Sequence, residues 1–242
     1  MLEEELLLGS ISSAEDRAWS DSIRDEFVTA FDQLRNVPPG VTVFGSARVK
    51  PGTPLYQLGV DTGYAIANAG FPVITGGGPG LMSAANEGAR LAGGASIGLG
   101  IDLPHEQNLN PHLTLSVNFE HFFVRKLMLV RYACAFVALP GGFGTMDELF
   151  ETLTLVQTGK VREFPVILLG TEFWGDLHRW IVDRLIRDGY ISPEDVNRFL
   201  LTDDIAEAVD LIVECNKRQS ARMSDLPLFR KHTTPDASAA AH

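Results

Sequence analysis

The stretch that decides the fold is Ala133-Cys134-Ala135-Phe136-Val137-Ala138-Leu139-Pro140, which runs directly into Gly141-Gly142-Phe143-Gly144-Thr145-Met146-Asp147-Glu148. Its first half has no polar face. A strand with one wet side alternates apolar and polar residues. A short run that is apolar throughout, bounded by a glycine turn, reads as a strand covered on both faces, as in a parallel sheet between two layers of helices. The second half reads as a turn that opens a helix at about Thr145. Three glycines allow close backbone approach and positive φ. The helix start beyond them offers unpaired N–H groups and a positive dipole end, a seat for phosphate. Thr145 adds a hydroxyl that can contact a ligand or cap the helix. One glycine would fit an ordinary turn; three after a buried strand favour binding.

Working outward, the same strand–glycine–helix unit recurs. VTVFGS (41–46), FPVIT (71–75), ASIGLGI (95–101), LTLSV (113–117) and FPVILL (164–169) read as further strands. Helical spacing appears at about 55–69, 81–91, 120–132, 145–157, 174–187 and 204–216. An additional amphipathic helix over 13–36 stops at Pro38-Pro39-Gly40. The alternation predicts an α/β fold: a doubly wound, Rossmann-like parallel sheet with helices on both faces and extra N- and C-terminal helices. The expected organisation is a loose terminus over 1–12, one nucleotide-binding domain over 13–231 with its core at 41–169, and a disordered tail over 232–242. In such a sheet the ligand sits beyond the carboxyl ends of the strands. That confines the search to 45–48, 76–80, 102–112 and 141–145.

Composition narrows the function classes. With 242 residues and 45% hydrophobic content the chain can bury a sizeable core. A net charge of −11 argues against nucleic acid or an anionic membrane as the main partner. No apolar run reaches the ~20 residues needed to span a bilayer. The acidic flank of Leu6–Leu8 does not resemble a signal peptide. Cys134 and Cys215 are far apart in sequence, and Cys134 sits in an apolar run, so a buried free thiol is expected there, which fits a reducing cytoplasm. His105, His112 and His121 lack metal-ligand spacing, so no metal is expected. GGGPGL (76–81) has Leu81 where G-x-G-x-x-G needs its third glycine, and no Walker sequence occurs. No cofactor is expected.

Two glycine loops aimed at one crevice suggest a mononucleotide. The loop after the first strand offers the Ser46 hydroxyl. The second offers Gly77 and Gly78, and the third Gly141, Gly142, Phe143, Gly144 and Thr145. Asp147 and Glu148 fall in the expected first turn of the helix, where the dipole alone would favour one acid. A carboxylate there also lies within reach of a ribose, where it can stabilise an oxocarbenium-like state and orient water. Adjacent residues point in different directions, so one of the two faces the ligand, and spacing does not say which. Arg125 and Lys126, in VRKLMLVRY, read from the letters alone as solvated helix cations. A cation holding the carboxylate or the phosphate is the functional alternative. The helix over 120–132 carries Phe122, Phe123, Leu127, Met128 and Val130, more apolar surface than one stripe needs. A homodimer or larger homo-oligomer is therefore expected.

GGGPGLM, FFVRKLML and LPGGFGTMDELFE together resemble the LONELY GUY (LOG) family of cytokinin-activating phosphoribohydrolases, formerly labelled lysine decarboxylases. The resemblance covers about 41–169, and its pattern PGGxGTxxE with an upstream Arg-Lys pair fits Pro140–Glu148 and Arg125-Lys126. It implies hydrolysis of the N-glycosidic bond of a nucleoside 5′-monophosphate, giving a free base and ribose 5-phosphate. It also implies Arg125 and Glu148 as the catalytic pair. Lys126, the stretch Gly142 to Glu148 and Glu106 are the implied substrate contacts. The alternative is a non-catalytic nucleotide or molybdopterin carrier on the same fold, which needs the glycine loops but not the Arg–Glu pair.

Overall fold

In the computed structural model, which describes residues 13–102, 109–161 and 164–224, seven strands form one parallel sheet. They are β1 (Gly40–Phe44), β2 (Val73–Thr75), β3 (Ser96–Ile101), β4 (Leu115–Phe119), β5 (Ala133–Ala138), β6 (Val166–Leu169) and β7 (Phe199–Thr202). Their spatial order is β4-β3-β2-β1-β5-β6-β7. The chain winds outward from β1 to β4, returns to the other side of β1, and winds outward again through β5 to β7. Val41 therefore pairs with Val73 on one side and with Ala135 on the other. The loops leaving β1 and β5 diverge, and the gap between them is the switch point at which such sheets hold ligands.

The apolar strand sequences are explained by cover on both faces. On one side Phe44, Leu99, Phe119, Phe136 and Leu168 pack with α1 (Ser13–Leu34), α4 (Phe122–Arg131), α5 (Phe143–Gln157) and α6 (Thr171–Trp180). Phe44 stacks on Phe136 at 5.2 Å. On the other side Val41, Val43, Val73, Val137 and Ile167 pack with α2 (Pro54–Asn68), α3 (Leu81–Leu91) and α7 (Ile205–Ser224). Cys134 is a buried free thiol, as expected.

Several boundaries differ from the expectation. β4 starts at Leu115, not Leu113, because the Thr114 hydroxyl donates to the Ser96 carbonyl at 2.8 Å and accepts its N–H at 3.0 Å. Side-chain pairing precedes the regular ladder there. Edge strand β7, preceded by a 3-10 turn at Pro193–Arg198, was not anticipated. α6 begins at Thr171 and passes into a wider π turn at Ile181–Ile186, and α7 continues to Ser224. The expected loose terminus (1–12) and tail (232–242) lie outside the described residues. Among the described residues no helix is long and apolar enough to cross a membrane.

Candidate active site

A crevice of about 720 Å³ opens at the switch point, a volume in the ordinary range for small-ligand sites. Gly45 to Arg48 line it from β1, and Gly141 to Glu148 from β5. Gly76, Met82, Phe122 and Arg125 close the remaining sides.

The β5 side is left open by the protein. α5 starts at Phe143 with Gly142 at its N-cap, and no side chain caps it. Among the described residues the first-turn N–H groups therefore have no side-chain cap. Thr145 is not the cap: it lies inside the first turn and is buried. The glycines here do not serve positive φ, which among the described residues occurs at Gly77 and Gly80 but not at Gly141, Gly142 or Gly144. Gly142 and Gly144 border open space, where a Cβ would meet nothing within 4 Å, whereas a Cβ at Gly141 would come within 2.1 Å of the Thr145 side chain.

The helix starts two residues earlier than expected, so Asp147 and Glu148 lie in its second turn. The dipole effect fades beyond the first turn and no longer accounts for them. The structure also separates the two. Glu148 is 7% exposed, whereas the Asp147 side chain is 60% exposed. Burial pushes the Glu148 carboxyl up to about 7, against the opposing pull of Arg125 and Lys126.

Arg125, read from the letters alone as solvated, is partly buried beside Glu148. Its Nε donates to the Leu99 carbonyl at the end of β3, at 2.7 Å. A Cβ at Gly76 would come within 2.2 Å of its guanidinium, so that glycine makes room for it. Burial lowers the Arg125 pKa, and Glu148 raises it in return.

Lys126 takes a different place from the one expected. It is not among the residues lining the crevice. Its Nζ lies 2.8 Å from Asp147 and 2.8 Å from Glu151, bracing α4 against α5. Burial opposes its charge, but these carboxylates carry its pKa up to about 12.

Gly77 and Gly78 are likewise displaced from the wall, which takes Gly76 and Met82 instead. The Gly77 N–H donates to the Thr75 hydroxyl at 2.9 Å. The Gly77 carbonyl accepts the Asn110 N–H at 2.8 Å. Asn110 Nδ2 donates to the carbonyls of Gly77 and Gly78 and to Asn86 Oδ1 at 3.0–3.1 Å. Asn86 also accepts from Thr75 and donates to Ser96. Ser46 does line the crevice, and its hydroxyl accepts the Arg48 N–H at 3.2 Å. Glu106 lies outside the described residues.

Arg48, Gly76, Met82 and Phe122 were missed as wall residues. The carboxyl-end rule pointed to the first two segments, but nothing in the letters singled out Arg48 or Gly76. Phe122 and Met82 read as helix residues only.

Residues 82–212 match the family described as "possible lysine decarboxylase". The cytokinin riboside 5′-monophosphate phosphoribohydrolase of Rhodococcoides fascians is 32% identical over 190 residues, 76% of this chain and 94% of that protein. The chain belongs to the LOG family. A LOG relative with the same name, from Mycobacterium tuberculosis, is 30% identical over 160 residues, 64% of this chain and 83% of its own length. The molybdenum cofactor carrier protein of Chlamydomonas reinhardtii shares the LOG fold, with a TM-score of 0.57 at 22% identity over 74% of this chain and 99% of that one.

Proposed function

We propose that this LOG chain is a hydrolase that cleaves the N-glycosidic bond of a nucleoside 5′-monophosphate, AMP or a cytokinin riboside monophosphate, to free base and ribose 5-phosphate. The relatives that carry this activity in their names support the reaction class. The observation that carries the reading is Glu148: a carboxyl raised towards 7 by burial, set beside Arg125 and below an uncapped helix start. The 5′-phosphate sits against the first-turn N–H groups of α5, helped by the Ser46 and Thr145 hydroxyls. The ribose then lies over Glu148. Ionised Glu148 stabilises the positive charge that develops on the sugar as the bond breaks and orients the attacking water. Arg125 holds that carboxylate in place and ionised.

The carrier reading draws on the shared fold alone, and a carrier has no need of a buried Arg–Glu pair. A decarboxylase of the pyridoxal type needs a lysine that can lose its proton, whereas Lys126 is held protonated by two carboxylates. The exposed Phe122, Phe123 and Leu127 on α4 support a homodimer or larger assembly, and the buried Cys134 thiol supports a cytoplasmic setting. The deciding experiment incubates the protein with a panel of nucleoside 5′-monophosphates and measures free base by chromatography. Base release from AMP or its prenylated form is expected. Tight binding with no base released from any of them would overturn the hydrolase reading and favour a carrier.

A further inference from the structure

α1 meets the first turn of α4 through Glu26 and Trp19. The side chains of Glu26 and His121 are 14% and 6% exposed, and Glu26 Oε2 lies 2.8 Å from His121 Nδ1. Glu26 Oε1 accepts the N–H of Glu120 at 2.5 Å and that of His121 at 3.4 Å. His121 is the N-cap of α4, and its own side chain makes no capping hydrogen bond. Its carbonyl accepts the Arg125 N–H at 3.2 Å. Trp19, also on α1, packs edge-on against the rings of His121 and Phe123 at 5.9 and 6.2 Å. Hydrogen bonds therefore run from Glu26 to His121 and on to the Arg125 backbone, and the Arg125 charge acts on Glu148.

We propose that Glu26 is a positioning residue for the Arg125–Glu148 pair: it holds His121, and with it the turn of α4 that aims Arg125. The inference rests on the hydrolase reading of that pair. Removing the Glu26 charge weakens its hold on two N–H groups and an imidazole, in a place with little access for water. The first turn of α4 then loosens and Arg125 withdraws from Glu148. The attraction between two partly buried charges weakens directly with distance. Among the described residues the charged groups facing Glu148 are Arg125 and Lys126 from α4, and Asp147 and Glu151 from α5; Arg48 lines the same crevice from β1. Glu26 acts on this set only through α4.

The test uses the full chain with Glu26→Gln, which keeps size but loses the charge, and Glu26→Asp, which keeps the charge on a shorter arm. Trp19→Phe is the control that loosens the same junction without touching the hydrogen bonds. Carbon-13 NMR follows the titration of the Glu148 carboxyl, assigned with Glu148→Gln, alongside Tm, kcat and KM on AMP. In Glu26→Gln the Glu148 midpoint is expected to rise by about half a pH unit or more. At neutral pH kcat should fall roughly tenfold with KM little changed. Glu26→Asp should lie between, and it decides the matter if the Gln variant does not fold. Trp19→Phe should lower Tm alone. A Glu148 midpoint unchanged in the Glu26 variants would overturn the proposal. If the unmodified protein releases no base, the hydrolase reading fails, while the titration still decides whether Glu26 positions Arg125.

Discussion

The two glycine loops at the carboxyl end of the sheet look alike in sequence and are used in opposite ways. In the loop after β2 the polar backbone is spent internally. The Gly77 N–H and the carbonyls of Gly77 and Gly78 are taken by Thr75 and Asn110, and the glycines are needed for positive φ and close packing. In the loop after β5 the helix start has no side-chain cap and Gly142 and Gly144 face open space. The first is a fastening that ties three segments together, and the second is, in the proposed function, a receptor. A glycine cluster therefore identifies a ligand loop only when its backbone polar groups have no partner within the fold.

The contrast breaks most easily at Glu148, on the helix that the open loop begins. Glu148→Gln should reduce base release from AMP by a factor of about 10² or more, roughly 3 kcal/mol of transition-state stabilisation, with AMP binding little changed. Asp147→Asn, whose partner is the already balanced Lys126, should do much less. Near-normal turnover in Glu148→Gln would remove the catalytic half of the comparison.

A receptor for phosphate must also read phosphate. Adenosine should be cleaved less efficiently than AMP by roughly 10² in kcat/KM, since anchoring the phosphate positions the ribose. Equal rates would show that the open loop serves something else.

Next in size is the pH dependence. In the proposed mechanism the working form of Glu148 is ionised, and burial raises the pKa of this carboxyl to about 7. Activity should therefore fall as pH drops through 7, approaching about tenfold per unit well below it. An acid limb near 4.5, the ordinary value for the group, would mean that burial does not govern the active carboxyl.

The smallest effects compare the loops directly. Gly77 has φ +73 and a Cβ there would lie 2.7 Å from Leu109. Gly77→Ala should lower stability by about 1–3 kcal/mol, read as a shift in denaturant midpoint. Gly142→Ala should leave the midpoint nearly unmoved and raise KM for AMP, because its methyl enters the ligand space. The opposite pattern would reverse the two roles.

Much of this was legible in the sequence because it depends on local pattern. Buried parallel strands are apolar throughout, and β1, β2, β3, β5 and β6 were found on that basis. β7 was not, since a four-residue edge strand after a 3-10 turn carries too short a signal. The ligand loops followed from topology. The choice between Asp147 and Glu148 came from family resemblance and not from spacing, because it depends on which carboxyl the tertiary fold buries. Arg125 and Lys126 show the same limit. They are adjacent in a helix and alike in charge, yet one enters the site and the other braces its wall. Glu26 left no mark in the letters, as its role depends on a contact 95 residues away.

The pairing of β1 with β5 also has a consequence for how the chain is made. Val41 finds Ala135 only after more than half of the chain has emerged from the ribosome. Until then the central strand carries one unpaired edge, a template for pairing with another chain. The ligand crevice forms in the same late step that closes this edge, because it is built from the loops leaving those two strands. A chain interrupted before Ala133 would thus hold an exposed strand and only one wall of the crevice, without Glu148, and should aggregate instead of surviving as a half-active fragment.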